Sequence, residues 1–261
     1  MGPAIRAGRF GSVLLSFSEI DSTNRLLLDL AAQGYPEGTV VQADSQTRGR
    51  GRQGRRWITP PGRALAFSLL LRPRSSPKDL PWVTLMAAVA VARCLETFRV
   101  RAGIKWPNDL LLNDKKVCGI LTEVGPSRDN RPSIVLGVGL NVNQVAKDFP
   151  PGLRKAATSL QMATKRTWDR QKLLGRLLDH LEEGYEDLLH GRIDRLSEQW
   201  GKRNVTLGRE VRLTQGKRSI TGMALGLDRN GALLLSLKTG EVQRVLSGDV
   251  TFRAKGHKGI A

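Results

Sequence analysis

Residues 81–98 constrain the chain more than any other stretch. The segment is rich in alanine, valine and leucine and shows little polar surface before Arg93. Pro81 stands near its start, where a helix has no use for the missing N–H. A helix that is apolar nearly all round must be covered by the rest of the protein. The segment therefore predicts a mostly buried helix.

The segments around it read as strands at 13–20, 39–43, 64–71, near Ile104, and at 110–112, 117–124 and 133–141. The last of these is taken as an exposed edge able to pair across a two-fold axis. Asp21-Ser22-Thr23-Asn24 are helix-capping types ahead of the leucine-rich stretch 25–32. Turns are expected at 34–38 and 113–116, and a hairpin connection at Asp129-Asn130-Arg131-Pro132. Residues 168–190 form an amphipathic helix with Leu173, Leu177, Leu181 and Tyr185 on one face. A shorter helix covers 193–200.

The character changes at 201–204, which reads as a linker. Short β-like runs follow at 210–213, 219–225, 232–237, 241–246 and 249–252, separated by turns such as Asp228-Arg229-Asn230-Gly231. Such closely spaced short strands suggest a small β-barrel. The organisation is thus two unequal domains, 1–200 and 201–261, in keeping with 261 residues.

The net charge is +18, from 42 basic and 24 acidic residues. Residues 201–261 hold twelve basic and four acidic residues of that total. This favours acidic or polyanionic partners. A nucleic-acid module would interleave aromatics with the basic residues, yet aromatics are only 5% and residues 201–261 hold only Phe252. The apolar runs fall short of the ~20 residues that span a bilayer. Cys94 and Cys118 lie in apolar patterns without metal-type spacing, so they read as buried, reduced thiols of a cytoplasmic protein.

Four motifs carry chemistry. Residues 48–57, Arg-Gly-Arg-Gly-Arg-Gln-Gly-Arg-Arg-Trp, combine glycines that let backbone approach a ligand with guanidinium forks that match phosphate oxygens. Five arginines so close repel one another, so an anion would help order the loop. Alone, this composition favours a disordered basic loop or an RNA-binding RGG-like segment. Lys105-Trp106-Pro107-Asn108-Asp109 places polar groups at a strand end, where sites are often built. Lys116 opens an apolar strand that contains Gly119. Gly137-Val138-Gly139-Leu140-Asn141 sets two glycines in a strand, but without the third glycine and helix of a dinucleotide fingerprint.

In this order the four motifs resemble the biotin protein ligases (biotin–acetyl-CoA-carboxylase ligases), over about residues 13–253. The resemblance implies an α+β class II synthetase-like catalytic domain, a mixed sheet with flanking helices, followed by a small SH3-like β-barrel. It implies a two-step reaction using biotin, ATP and Mg²⁺, with biotinyl-5′-AMP as intermediate and a lysine of a biotin carboxyl carrier protein as acceptor. It implies a biotin pocket of Ser22, Thr23, Asn24, Gln46, Arg50, Gly51, Arg52, Lys116 and Gly119. The implied nucleotide-binding residues are Arg55, Arg56, Trp57, Lys105, Asn108, Asn141, Arg218 and Arg253. Bifunctional members carry an N-terminal helix-turn-helix. Only about a dozen residues precede the first strand here, so a monofunctional type without specific DNA binding, monomer or homodimer, is expected.

A carboxylate is already ionised at neutral pH, with an ordinary pKa near ~4–5. The first step needs positive charge rather than a general base. Lys116 and Arg52 are the expected catalytic charges, and Asp109 is expected to orient the acceptor amine. A lipoate-type ligase and a basic nucleic-acid-binding module are the competing readings.

Overall fold

The computed structural model describes residues 8–73, 80–128 and 131–252. The first strand, β1 (Leu14–Ile20), leads into α1 (Thr23–Ala32). Ser22 has extended backbone, and its hydroxyl accepts from the Arg25 amide. The helix thus begins two residues before the leucine-rich stretch. That places Thr23 and Asn24 in its first turn, both buried against the sheet.

The main sheet adds β2 (Val40–Gln46), β3 (Ala64–Leu71), β4 (Gly103–Lys105), β5 (Asp109–Leu112), β6 (Lys115–Arg128) and β7 (Arg131–Asn141). Its seven strands run in the order β1-β2-β3-β7-β6-β5-β4. The β1–β2 pair is parallel, and every other pair is antiparallel. β3 is buried at every position. Phe67, Leu69 and Leu71 join the core under α2 (Leu80–Thr97), while Leu70 joins Leu27, Leu30, Val41 and Val135 under α1. A strand buried on both faces reads as a continuous apolar run rather than an alternating one.

The same rule corrects the reading of 133–141 as an edge. β7 lies between β3 and β6, and residues 133–141 are all buried. Its continuous apolar character is that of an interior strand. The 129–130 part of the expected hairpin connection lies outside the described residues.

α2 lies between the sheet and α4 (Arg170–Leu189), where Gly184 lets the helices approach. A Cβ there would sit 2.9 Å from Met86. Among the described helices, α2 alone is long and apolar enough to cross a membrane, but 67% of it is buried inside the protein. It is the core helix that residues 81–98 predict. A short helix, α3 (Leu160–Thr164), was not anticipated; Ser159 caps it.

Past α5 (Ile193–Gly201) come β8 (Glu210–Gln215), β9 (Arg218–Leu227), β10 (Leu233–Ser236), β11 (Val242–Val245) and β12 (Asp249–Phe252). They form an antiparallel sheet in the order β11-β10-β9-β8-β12. Its edges β11 and β12 do not pair, so the sheet is open rather than a closed barrel. Strand spacing predicts the strands, but closure depends on their tilt and stagger. Two buried tryptophans fasten this sheet to the first. Trp82 Nε1 donates to Arg229 O at 2.8 Å, and Trp106 Nε1 donates to Gly231 O at 3.3 Å.

Candidate active site

β2, β3, β6 and β7, the start of α1 and the arginine loop surround one cleft. Its floor is glycine. Gly119 of β6 pairs with Gly139 of β7, and Gly137 lies two residues further along β7. The sequence suggests that these glycines admit a ligand, but they first admit the protein's own side chains. A Cβ on Gly139 would sit 2.3 Å from the Trp57 indole. One on Gly137 would sit 2.2 Å from Asn24 Oδ1. One on Gly119 would sit 3.1 Å from both Lys116 Nζ and Trp57. Trp57 therefore lies flat on β6 and β7, with Lys116 Nζ 5.7 Å from its ring centroid. Its buried Nε1 has no acceptor among the described residues, which suits a site that takes a polar ligand.

One wall is a chain of hydrogen bonds. The Thr23 amide donates to Gln46 Oε1 at 2.9 Å, and Gln46 Nε2 donates to Thr59 Oγ1 at 3.0 Å. The Ser68 hydroxyl lies 2.7 Å from that of Thr23 and also reaches Asn24 Oδ1. Asn24 Nδ2 donates to Glu123 Oε2 at 2.8 Å. Glu123 Oε1 pairs with Arg50 Nη2 at 2.9 Å. Ser68 and Glu123 were missed by sequence reasoning. The available signal was one hydroxyl in the apolar run 64–71 and one carboxylate in 117–124.

The opposite wall is cationic. Lys116 Nζ is 2.6 Å from Asp109 Oδ1. Arg52 Nη1 donates to Asn108 Oδ1 at 2.9 Å, and Asn108 Nδ2 donates to Ile120 O at 2.8 Å. Burial pushes the Arg52 pKa down; Asp249 and Asp109 oppose the shift. Lys105 is also held below the ordinary lysine value, first by burial, and it lies over Phe252.

The arginine loop is a small hairpin with its own backbone bonds. Gly51 N donates to Arg55 O at 2.7 Å, and Trp57 N donates to Gly49 O at 2.9 Å. Gln53 and Gly54 take positive φ at its tip. Its charges also find partners inside the protein: Arg50 meets Glu123 and Arg55 meets Asp249 of β12. The loop therefore has internal counterions before any ligand anion arrives.

The cleft brings together Ser22, Thr23, Asn24, Gln46, Arg50, Gly51, Arg52, Trp57, Asn108, Lys116 and Gly119. Asp109 pairs with Lys116, and Lys105 is near enough to feel both charges; neither lines the cleft itself. Arg55 and Arg56 face a separate recess on the outside of the loop. Asn141 is buried below the cleft, where its Nδ2 donates to Thr158 O and its Oδ1 accepts from Gln144. Arg218 is exposed at the end of the β8–β9 hairpin and does not line the cleft. Arg253 lies outside the described residues. No group of three or more His, Cys, Asp or Glu converges to hold a metal among the described residues.

A mixed sheet joined to an open second sheet frames a cleft that sets cations against a polar, hydrogen-bonded wall, an arrangement suited to an anionic ligand. The model of the Biotin/lipoate A/B protein ligase family matches residues 16–141, and that of the Biotin protein ligase C terminal domain matches 206–253. The bifunctional ligase/repressor BirA of Bacillus subtilis is 37% identical over 92% of this chain and 74% of its own length. The biotin–acetyl-CoA-carboxylase ligase of Mycobacterium tuberculosis is 34% identical over 89% of this chain and 86% of its own. Among solved structures, a biotin protein ligase from Aquifex aeolicus in complex with biotin and ATP superposes with a TM-score of 0.81. That ligase is 32% identical, over 93% of this chain and 99% of its own. The chain belongs to the biotin protein ligase family.

Proposed function

We propose that the protein joins biotin to ATP and passes the biotinyl group to a lysine of a biotin carboxyl carrier protein. In the first step a biotin carboxylate oxygen attacks the α-phosphorus. The bond to the β-phosphate bridging oxygen breaks, and pyrophosphate leaves. In the second step the lysine amine attacks the biotinyl carbonyl, AMP leaves with the former carboxylate oxygen, and the amine loses a proton.

The observation that carries this reading is the position of Lys116. Its ammonium stands at the edge of the glycine floor beside Trp57, opposite the Thr23–Asn24 wall. A carboxylate and a phosphate repel, and a fixed cation between them stabilises their approach. Lys116 and Arg52 supply that charge, and Trp57 offers a flat face to the adenylate. Thr23, Asn24 and Gln46 hold the biotin head group. Asp109 fixes Lys116 through the first step and faces the incoming amine in the second. Mg²⁺ enters as the companion of the ATP phosphates, as part of the substrate.

Residues 1–200 act as the catalytic domain and 201–261 as the smaller domain beside it. The site of action is the cytoplasm, in keeping with two inert thiols. Burial pushes Cys94 up to about 12 and Cys118 higher still.

The test is incubation with ATP, Mg²⁺, labelled biotin and an apo carrier domain, with labelled lipoate in parallel. Biotin label on the carrier is the expected result. Lipoate label alone would replace this reading with the lipoate-type one, and no label from either acid would refute both.

A further inference from the structure

Glu123 is a carboxylate directly behind the cleft, bonded to its lining residues Asn24 and Arg50, for which the two-step reaction has no direct use. Acyl-adenylate formation needs positive charge, and Glu123 sets a negative one, its side chain only 19% exposed, against the polar wall. It faces the same side of β6 as Gly119 and Leu121, because alternate residues of a strand share a face.

Its two oxygens serve different parts of the molecule. Oε2 accepts from Asn24 Nδ2, at the start of α1. Oε1 holds Arg50 Nη2, on the arginine loop. Behind Asn24 the bonds continue through Ser68 to Thr23 and Gln46. The Ser68 hydroxyl has both Asn24 Oδ1 and Thr23 Oγ1 as acceptors in reach, and the Thr23 hydroxyl donates onward to Gln46 Oε1 at 3.2 Å. One continuous set of hydrogen bonds therefore runs from Gln46 and Thr23 to the arginine loop, and Glu123 joins its two halves.

We propose that Glu123 is a positioning residue that couples filling of the polar wall to closure of the arginine loop through Arg50. The proposal rests on the reading of this cleft as the biotin and nucleotide site. A ligand seated against Thr23 and Asn24 holds the Asn24 amide, and with it the carboxylate that Arg50 grips. Arg50 otherwise stands among like charges at Arg48, Arg52, Arg55 and Arg56. The ordered amide fixes one oxygen, which leaves the other aimed at the guanidinium and makes a charge-assisted bond of defined direction.

The proposal predicts an effect opposite in sign to the simpler role. If Glu123 only offset positive charge, removing its charge would strengthen binding of anionic ligands. Glu123→Gln keeps an oxygen for Asn24 and loses the ion pair with Arg50. Coupling predicts that biotin KM rises roughly tenfold, as loss of a charged hydrogen bond does, while kcat changes less. Trypsin cleavage within 48–56 should quicken in the unliganded variant, and added biotin should no longer slow it. Glu123→Asp should restore part of the protection. In an Arg50→Ala background, Glu123→Gln should add nothing further, because the two act through one contact. Arg50 is half exposed, so its removal leaves the fold intact and keeps the double-variant comparison available.

An unchanged or lowered KM in Glu123→Gln, or additive effects with Arg50→Ala, would overturn the proposal. Failure of the wild-type protein to label a carrier would instead overturn the functional reading. The cleavage rate of the unliganded loop reports the Glu123–Arg50 contact in either case.

Discussion

Lys116 Nζ lies 2.6 Å from Asp109 Oδ1, and the lysine reaches it along the face of Gly119. The two residues come from adjacent strands, with Asp109 paired directly to Gly119. A bulge between Leu110 and Leu111 shifts the register, so that Lys116 falls opposite Leu111. The ammonium is thus held at a strand end, where it meets the cleft. Lys116→Ala should slow biotin-dependent pyrophosphate release by about 10²–10³-fold, the effect of removing one preorganised charge-stabilising group. Asp109→Asn should spare that step more than transfer to the carrier, which single-turnover measurements of each step would show. Equal loss in both steps would remove the special role of Asp109.

Gly139 makes room for Trp57. An added methyl would fall 2.3 Å from the indole, far inside van der Waals contact. Gly139→Ala should therefore displace Trp57 rather than unfold the sheet, at a stability cost of about 1–3 kcal/mol from overpacking. Tryptophan fluorescence should shift toward that of an exposed indole, and ATP KM should rise with little change in biotin KM. An unshifted spectrum would place the indole elsewhere.

Ser68 is fully buried and supplies the proton that Asn24 Oδ1 accepts. Ser68→Ala leaves that acceptor unsatisfied, at about 1–3 kcal/mol. Denaturant unfolding should show that loss, and biotin KM should rise with it. A stability loss without any change in biotin KM would make Ser68 purely structural.

His180, on α4 and within reach of Arg93 of α2, carries a pKa held below 6.5, first by burial and then by Arg93; Glu183 and Asp179 pull the other way. A depressed pKa means that the unfolded chain takes up the proton first as pH falls. The stability tied to neutral His180 is fully present above about pH 6.5. It declines below that and is gone once pH has passed below the folded pKa. Melting temperature followed from pH 7.5 to 5 should fall more steeply in wild type than in His180→Gln. Parallel slopes would rule out His180 as a source of acid sensitivity.

The legible parts were those that one strand or helix decides by itself. β3 and β12 coincide with the runs 64–71 and 249–252. The four motifs converge because three lie on or between adjoining strands of one sheet and the fourth, the arginine loop, leaves that sheet just past the end of β2. What stayed hidden depends on partners remote in sequence. Glu123 acquires meaning only through Asn24 and Arg50, and Ser68 only through Thr23 and Asn24. Asn141, expected near the nucleotide, also bonds within the protein to Thr158 and Gln144, partners that its strand alone does not reveal. The glycines of β6 and β7 were correctly read as making space, but the space serves Trp57, Lys116 and Asn24 first.

The most direct measurement omits the acceptor. The protein is mixed with biotin, ATP and Mg²⁺, freed of unbound ligand, and analysed by mass spectrometry under native conditions. The account predicts one biotinyl-5′-AMP held per chain by wild type and none by Lys116→Ala, with biotin moving to a lysine once apo carrier is added to the wild-type complex. Wild-type protein that holds no adenylate, or a Lys116→Ala variant that holds it equally well, would contradict the account.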